Sequence, residues 1–108
     1  MSELNLYQEV ALSLNKELDI QDGQYLTEDE ILIILINRVN ELLENDKDLL
    51  MSYLYRLDIS QKKIASVLRV TNVIPPEQSL ARLILDRQIE RIKTKRKYKQ
   101  DPIEGWEF

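Results

Sequence analysis

The chain has 108 residues, 15 basic and 19 acidic side chains for a net charge of −4, and no Cys, no His and only two Gly. That composition excludes a disulfide framework, a thiolate nucleophile, a cysteine zinc site and a glycine-rich phosphate loop, and it removes the side chain most used for metal ligation and near-neutral proton transfer. Leu, Ile, Val and Phe supply a third of the chain, too apolar for a disordered sequence and enough for the core of one domain.

Leu4, Tyr7, Val10, Ala11, Leu14 and Leu18 recur every three or four residues and predict a first helix over residues 3–19. Leu6 and Leu12 fall off that stripe, and Asp22 and Gly23 end the helix. Next comes a capping box, Thr27 followed three residues later by Glu30, with Leu26 and Ile31 placed to form a hydrophobic staple. Glu28, Asp29 and Glu30 in the first turn also suit the positive end of a helix. The helix predicted from there runs through residues 31–36 to Val39, Leu42 and Leu43. Its first half is apolar on all sides, the pattern of a central, buried helix. Six apolar residues could also make a buried strand, but the capping box and the continuation to Leu43 favour helix. About seven residues join the first two helices, so an antiparallel pair is expected.

Residues 45–48 form a turn and cap before a short helix containing Leu49, Leu50, Tyr53, Leu54 and Leu57. Tyr53 lies on its apolar stripe, while Tyr55 and Arg56 lie off it. Asp58 and Ser60 compete to cap the next short helix, whose stripe is Ile64, Val67 and Leu68. Pro75 biases Ile74 toward an extended backbone, and Pro76 suits the first position of the last helix. There Ala81, Leu85, Ile89 and Ile92 form the stripe, with Leu80 and Ile84 beside it. Beyond Ile92 the pattern loses its apolar face.

No alternating strand pattern, hairpin turn, repeat or low-complexity tract occurs. The expected fold is therefore all-α, a compact bundle of about five helices with long central and C-terminal helices. Residues 1–100 make one helical domain, and 101–108 an acidic, aromatic tail. The apolar run at 31–36 is far shorter than the ~20 residues that span a bilayer. Acids interrupt the first twenty residues where a secretory signal would be apolar. A cytoplasmic protein without a membrane span is the default expectation.

Charge is unevenly placed. Residues 1–50 carry 3 basic and 12 acidic groups, residues 51–108 carry 12 basic and 7 acidic. Such a split suggests a polyanion, a membrane surface or pairing between the halves. Arg87, Arg91, Lys95 and Lys99 lie four apart on the last helix, with Lys93 and Lys97 four apart beside them and Arg96 nearby. Like charges at this spacing destabilise an isolated helix by roughly 0.2–0.5 kcal/mol per pair. Solvation, pairing with the acidic half, or a phosphate backbone would each offset that repulsion. Trp106 and Phe108, the only Trp and Phe, sit in the tail, where they either pack back on the domain or dock a partner.

Other chemistry fits less well. Residues 57–71, LDISQKKIASVLRVT, resemble the first part of the helix-turn-helix of bacterial repressors, with Gln61, Ile64, Ala65, Leu68 and Val70 at the matching positions. The match covers about a dozen residues and then departs, with Arg69 at the usual turn glycine and Pro75-Pro76 where the recognition helix should be under way. It therefore describes an ordinary amphipathic helix. The acids around Gly23 resemble an EF-hand loop, but Leu18 and Ile20 would have to be ligands, which excludes calcium there. The carboxylate pairs Glu41/Glu44 and Asp86/Glu90 lie off the apolar stripes, away from the burial that acid–base catalysis needs. No catalytic residue, metal site or cofactor is expected. The sequence thus points to a non-catalytic interaction or assembly module, with another protein or a second copy as the expected partner. Its contacts would be Arg87, Arg91, Lys93, Lys95, Arg96, Lys97, Lys99, Trp106 and Phe108. The alternative is a nucleic-acid-binding protein using the cations of 87–99, against which the net negative charge counts.

Overall fold

A computed structural model describes residues 5–18, 27–69 and 73–100. They form five helices: α1 (Leu6–Leu18), α2 (Glu28–Asn45), α3 (Lys47–Arg56), α4 (Gln61–Val67) and α5 (Pro76–Gln100). No strand occurs among the described residues, and the all-α expectation holds. Leu4, the turn at Asp22-Gly23, Leu26 of the expected staple, and the tail with Trp106 and Phe108 lie outside the described residues.

Side-chain caps set most helix starts. α1 begins at Leu6 rather than near residue 3, because Asn5 and Gln8 make a reciprocal box. The Gln8 amide donates to Asn5 Oδ1 at 2.8 Å, and the Asn5 amide donates to Gln8 Oε1 at 3.1 Å. Thr27 caps α2, its Oγ1 accepting from the Glu30 amide at 3.2 Å. Glu30 answers differently from the expectation: its carboxylate accepts from the Thr27 hydroxyl at 2.8 Å and not from the backbone amide. Asp46 serves two helices at once. Its amide donates to Leu42 O at 2.8 Å, closing α2, and its Oδ1 accepts from the Leu49 amide at 3.2 Å, opening α3.

Between the two candidate caps for α4, Ser60 takes the role, accepting from the Lys63 amide at 3.2 Å. Asp58 does something else. It has a left-handed backbone, φ 60°, and terminates α3. The Asp58 amide donates to Tyr55 O at 3.0 Å and the Ile59 amide to Leu54 O at 3.3 Å, the bond pair of a Schellman motif. Ile59 and Leu54 are both buried, which supplies the apolar contact that accompanies this motif. α5 starts at Pro76 as expected, with the amides of Gln78 and Ser79 donating to Pro75 O.

The core collects most of the predicted stripes, with Tyr7, Leu43, Val67, Leu68 and Ile89 half-buried against it and Leu49 exposed. Val10, Ala11, Leu14 and Leu18 of α1, Ile31, Leu35, Val39 and Leu42 of α2, and Leu50, Tyr53 and Leu54 of α3 are buried, and so are Leu80, Ala81, Ile84, Leu85 and Ile92 of α5. Burying one such aliphatic side chain contributes roughly 1.5–3 kcal/mol, so the stripes account for the cohesion of the bundle. α2 packs most extensively on α5, which also holds α1 and α4, while α3 packs on α2. α2 is central but not buried all round. Ile33 is 60% exposed, and Leu32, Ile34 and Ile36 are half-buried.

The first two helices run in the same direction, against the antiparallel expectation. Tyr7 near the start of α1 donates to Glu28 at the start of α2, and Arg38 donates to Leu18 O at the end of α1. Both contacts advance by ten or eleven residues, about 15 Å of helix. A connection of this length is long enough to cross back over that rise.

Candidate interaction surface

One buried polar pair fixes α5 against α3. Gln88 occupies a position on the α5 stripe between Leu85 and Ile92 and is 2% exposed. Its Nε2 donates to the Tyr53 hydroxyl at 2.7 Å. A buried polar group without a partner is costly, so this bond ties the rotation of α5 to Tyr53. Arg87, the next residue, reaches the same region. Its Nε donates at 2.7 Å to Leu57 O, a carbonyl at the end of α3, and its Nη1 pairs with Glu90. Arg38 repeats the device on α2. Its Nε donates to Leu18 O at 2.8 Å, and its Nη1 pairs with Glu41 at 2.7 Å. A guanidinium at a helix C-terminus satisfies an orphan carbonyl and opposes the negative end of the dipole.

Among the described residues the acidic and basic halves meet at two ion-paired junctions. Arg96 donates from Nε and Nη2 to Glu9 Oε1 at 2.9 and 2.6 Å, joining α5 to α1. Arg82 pairs with Glu28 Oε2 at 2.8 Å, and Tyr7 donates to Glu28 Oε1 at 3.1 Å, so one carboxylate joins α1, α2 and α5. The bonds from Arg82 and Tyr7 hold the Glu28 carboxyl below its ordinary pKa. Donation to Glu28 raises the Tyr7 phenol, and the same carboxylate raises Arg82. Neither Arg82 nor Glu28 belonged to the expected set. Residues so far apart in sequence carry no local signal of their pairing.

The seven basic candidates do not share one face. At about 100° per residue, Lys93 lies roughly 160° around α5 from Lys95. Arg91 and Lys95 line a depression against α1, together with Glu9, Ser13, Gln88 and Ile92. Lys93 lies on the flank of Arg82, near enough to Glu28 to favour its charged form. Arg87 and Arg96 are committed to internal bonds. Arg91, Lys93, Lys95 and Lys97 are exposed and form no ion pair with a carboxylate among the described residues. The Lys99 side chain lies outside the described residues.

Three further acids are engaged in ion pairs. Asp86 pairs with Arg82 at 3.2 Å, Glu90 with Arg87 and Glu41 with Arg38. Among the described residues no group of three or more acids is placed to hold a metal ion, and no helix is long and apolar enough to cross a membrane. α4 ends at Val67 and α5 starts at Pro76, so the segment resembling a helix-turn-helix has no second helix at the spacing that motif needs. Comparison with protein-family models, curated proteins and solved structures finds no match to this chain.

Proposed function

We propose that the protein is a non-catalytic, cytoplasmic interaction module that docks an acidic protein surface on the C-terminal half of α5. One observation carries this reading. Past Ile92, the last buried residue of α5 among those described, the helix continues to Gln100, with Arg91 before it and Lys93, Lys95 and Lys97 after it exposed on both flanks. Unpaired cations at this density repel one another, and an acidic partner relieves that repulsion. A second copy of the chain is one such partner, because Glu41, Glu44, Asp46 and Asp48 are exposed around the junction of α2 and α3. Cations wrapped around the helix suit a groove or a concave partner better than a single line of phosphates. The engaged carboxylates give no sign of acid–base work, and Glu28 is held in its charged form, opposite to the state of a general acid.

The test is capture of partners by the full chain and by a variant with Arg91, Lys93, Lys95 and Lys97 changed to Gln, with native mass measurement on both. Capture or dimerisation that resists nuclease and is lost in the variant is expected. Capture abolished by nuclease would move the assignment to nucleic acid. Capture unchanged in the variant would remove α5 from the interface.

A further inference from the structure

We propose that the depression between α1 and α5 is a binding site for a phosphate monoester. The proposal rests on the reading of the α5 end as a binding element, but it concerns one flank only. The depression has a volume of about 260 Å³ and is lined by Glu9, Ser13, Gln88, Arg91, Ile92 and Lys95. Two of these are cations on successive turns of the same side of α5, and neither has a carboxylate partner among the described residues. A dianion matches their combined charge. The Arg91 guanidinium can give two parallel N–H bonds to phosphate oxygens, Lys95 supplies a point charge, and the Ser13 hydroxyl donates from the opposite wall.

The acid on the rim does not compete. Glu9 is held by the Arg96 guanidinium through both Nε and Nη2, so its charge is neutralised from outside the depression. The floor is fixed, because Gln88 is buried and bonded to Tyr53. Lys93 and Lys97 on the far flank cannot reach the same anion. They remain exposed to the acidic surface proposed above.

The test is a titration of the uniformly labelled full chain with inorganic phosphate at constant ionic strength, followed by amide chemical shifts. Saturable shifts confined to Ser13, Gln88, Arg91, Lys95 and their neighbours are expected. Arg91→Gln and Lys95→Gln each weaken binding about tenfold, as loss of one charge-assisted contact implies, while Lys97→Gln leaves it unchanged. All three positions are exposed, so the unperturbed spectrum of each variant shows that the fold persists. A parallel titration with a serine-phosphorylated peptide and its unphosphorylated counterpart separates the sources. Phosphopeptide binding tighter than that of inorganic phosphate assigns the site to a modified partner side chain, binding no tighter than inorganic phosphate assigns it to a free phosphate compound, and equal binding of the two peptides would overturn the proposal. Absence of saturation in the millimolar range, or loss of the shifts in Lys97→Gln as in Arg91→Gln, would overturn the proposal. In that event the capture experiment with Arg91, Lys93, Lys95 and Lys97 changed to Gln still decides the macromolecular reading.

Discussion

Removing the bond between Gln88 and Tyr53 tests what orients α5, and hence what places its exposed cations. Both side chains are at most 2% exposed, and the bond length is 2.7 Å. Tyr53→Phe deletes the acceptor and leaves the Gln88 amide in the core, a loss of about 1–3 kcal/mol. Gln88→Leu deletes the donor to the Tyr53 hydroxyl at a similar cost. Replacing both puts two apolar groups of similar size face to face, which is close to neutral. Each residue makes further contacts, so the double-mutant cycle, not either single change, isolates the bond. Thermal and urea unfolding by far-UV circular dichroism measures it. At roughly 4 °C per kcal/mol for a domain of this size, each single variant loses several degrees and the double variant regains most of that loss. A double variant as unstable as the sum of the singles would refute the coupling, and with it the claim that this pair sets the rotation of α5.

Other consequences follow from single residues. Asp58→Gly relieves the left-handed backbone at the end of α3 and raises stability by about 0.5 kcal/mol; a fall in urea midpoint would contradict the Schellman assignment. Asp46→Ala removes the side-chain cap of α3 and costs about 1 kcal/mol, most of which Asp46→Asn restores; equal losses in both variants would show that the cap is not what matters. Glu28 has a pKa depressed in the folded state, so its contribution is fully present above the ordinary glutamate value of about 4.3 and is lost as pH falls through the lower folded value. Stability measured from neutral pH down into that acidic window falls in the wild type, and Glu28→Gln flattens the fall. An unchanged profile in Glu28→Gln would remove the three-helix junction from the account.

The helices were legible because apolar periodicity and capping residues are local. Thr27, Ser60 and Pro76 all act where short-range chemistry puts them. The Asn5–Gln8 box has the same kind of signature and corrects the start of α1. Gln88 was also within reach, since it interrupts an apolar stripe at a core position. What was not legible depends on tertiary placement. The parallel run of α1 and α2 is set by where α5 receives them, not by the length of their connection. Asp58 looks like a cap, and only the left-handed turn between Leu57 and Ile59 shows that it closes one helix while Ser60 opens the next. Spacing at i,i+4 joined Arg87, Arg91 and Lys95 into one surface. The fold draws Arg87 into a carbonyl at the end of α3, and Arg96 to Glu9. The sequence split of −9 against +5 is met in part, among the described residues, by two cross-helix junctions, with Arg91, Lys93, Lys95 and Lys97 left exposed on α5.

Titration of the full chain with labelled duplex DNA and with RNA, at low and moderate salt, tests most directly whether those cations serve a protein contact. Weak association that disappears at moderate salt is predicted, because the chain is acidic overall and its exposed cations are not aligned on one face. Tight, saturable binding that persists at moderate salt and is lost when Arg91, Lys93, Lys95 and Lys97 are changed to Gln would contradict the account and make the C-terminal half of α5 a nucleic-acid interface.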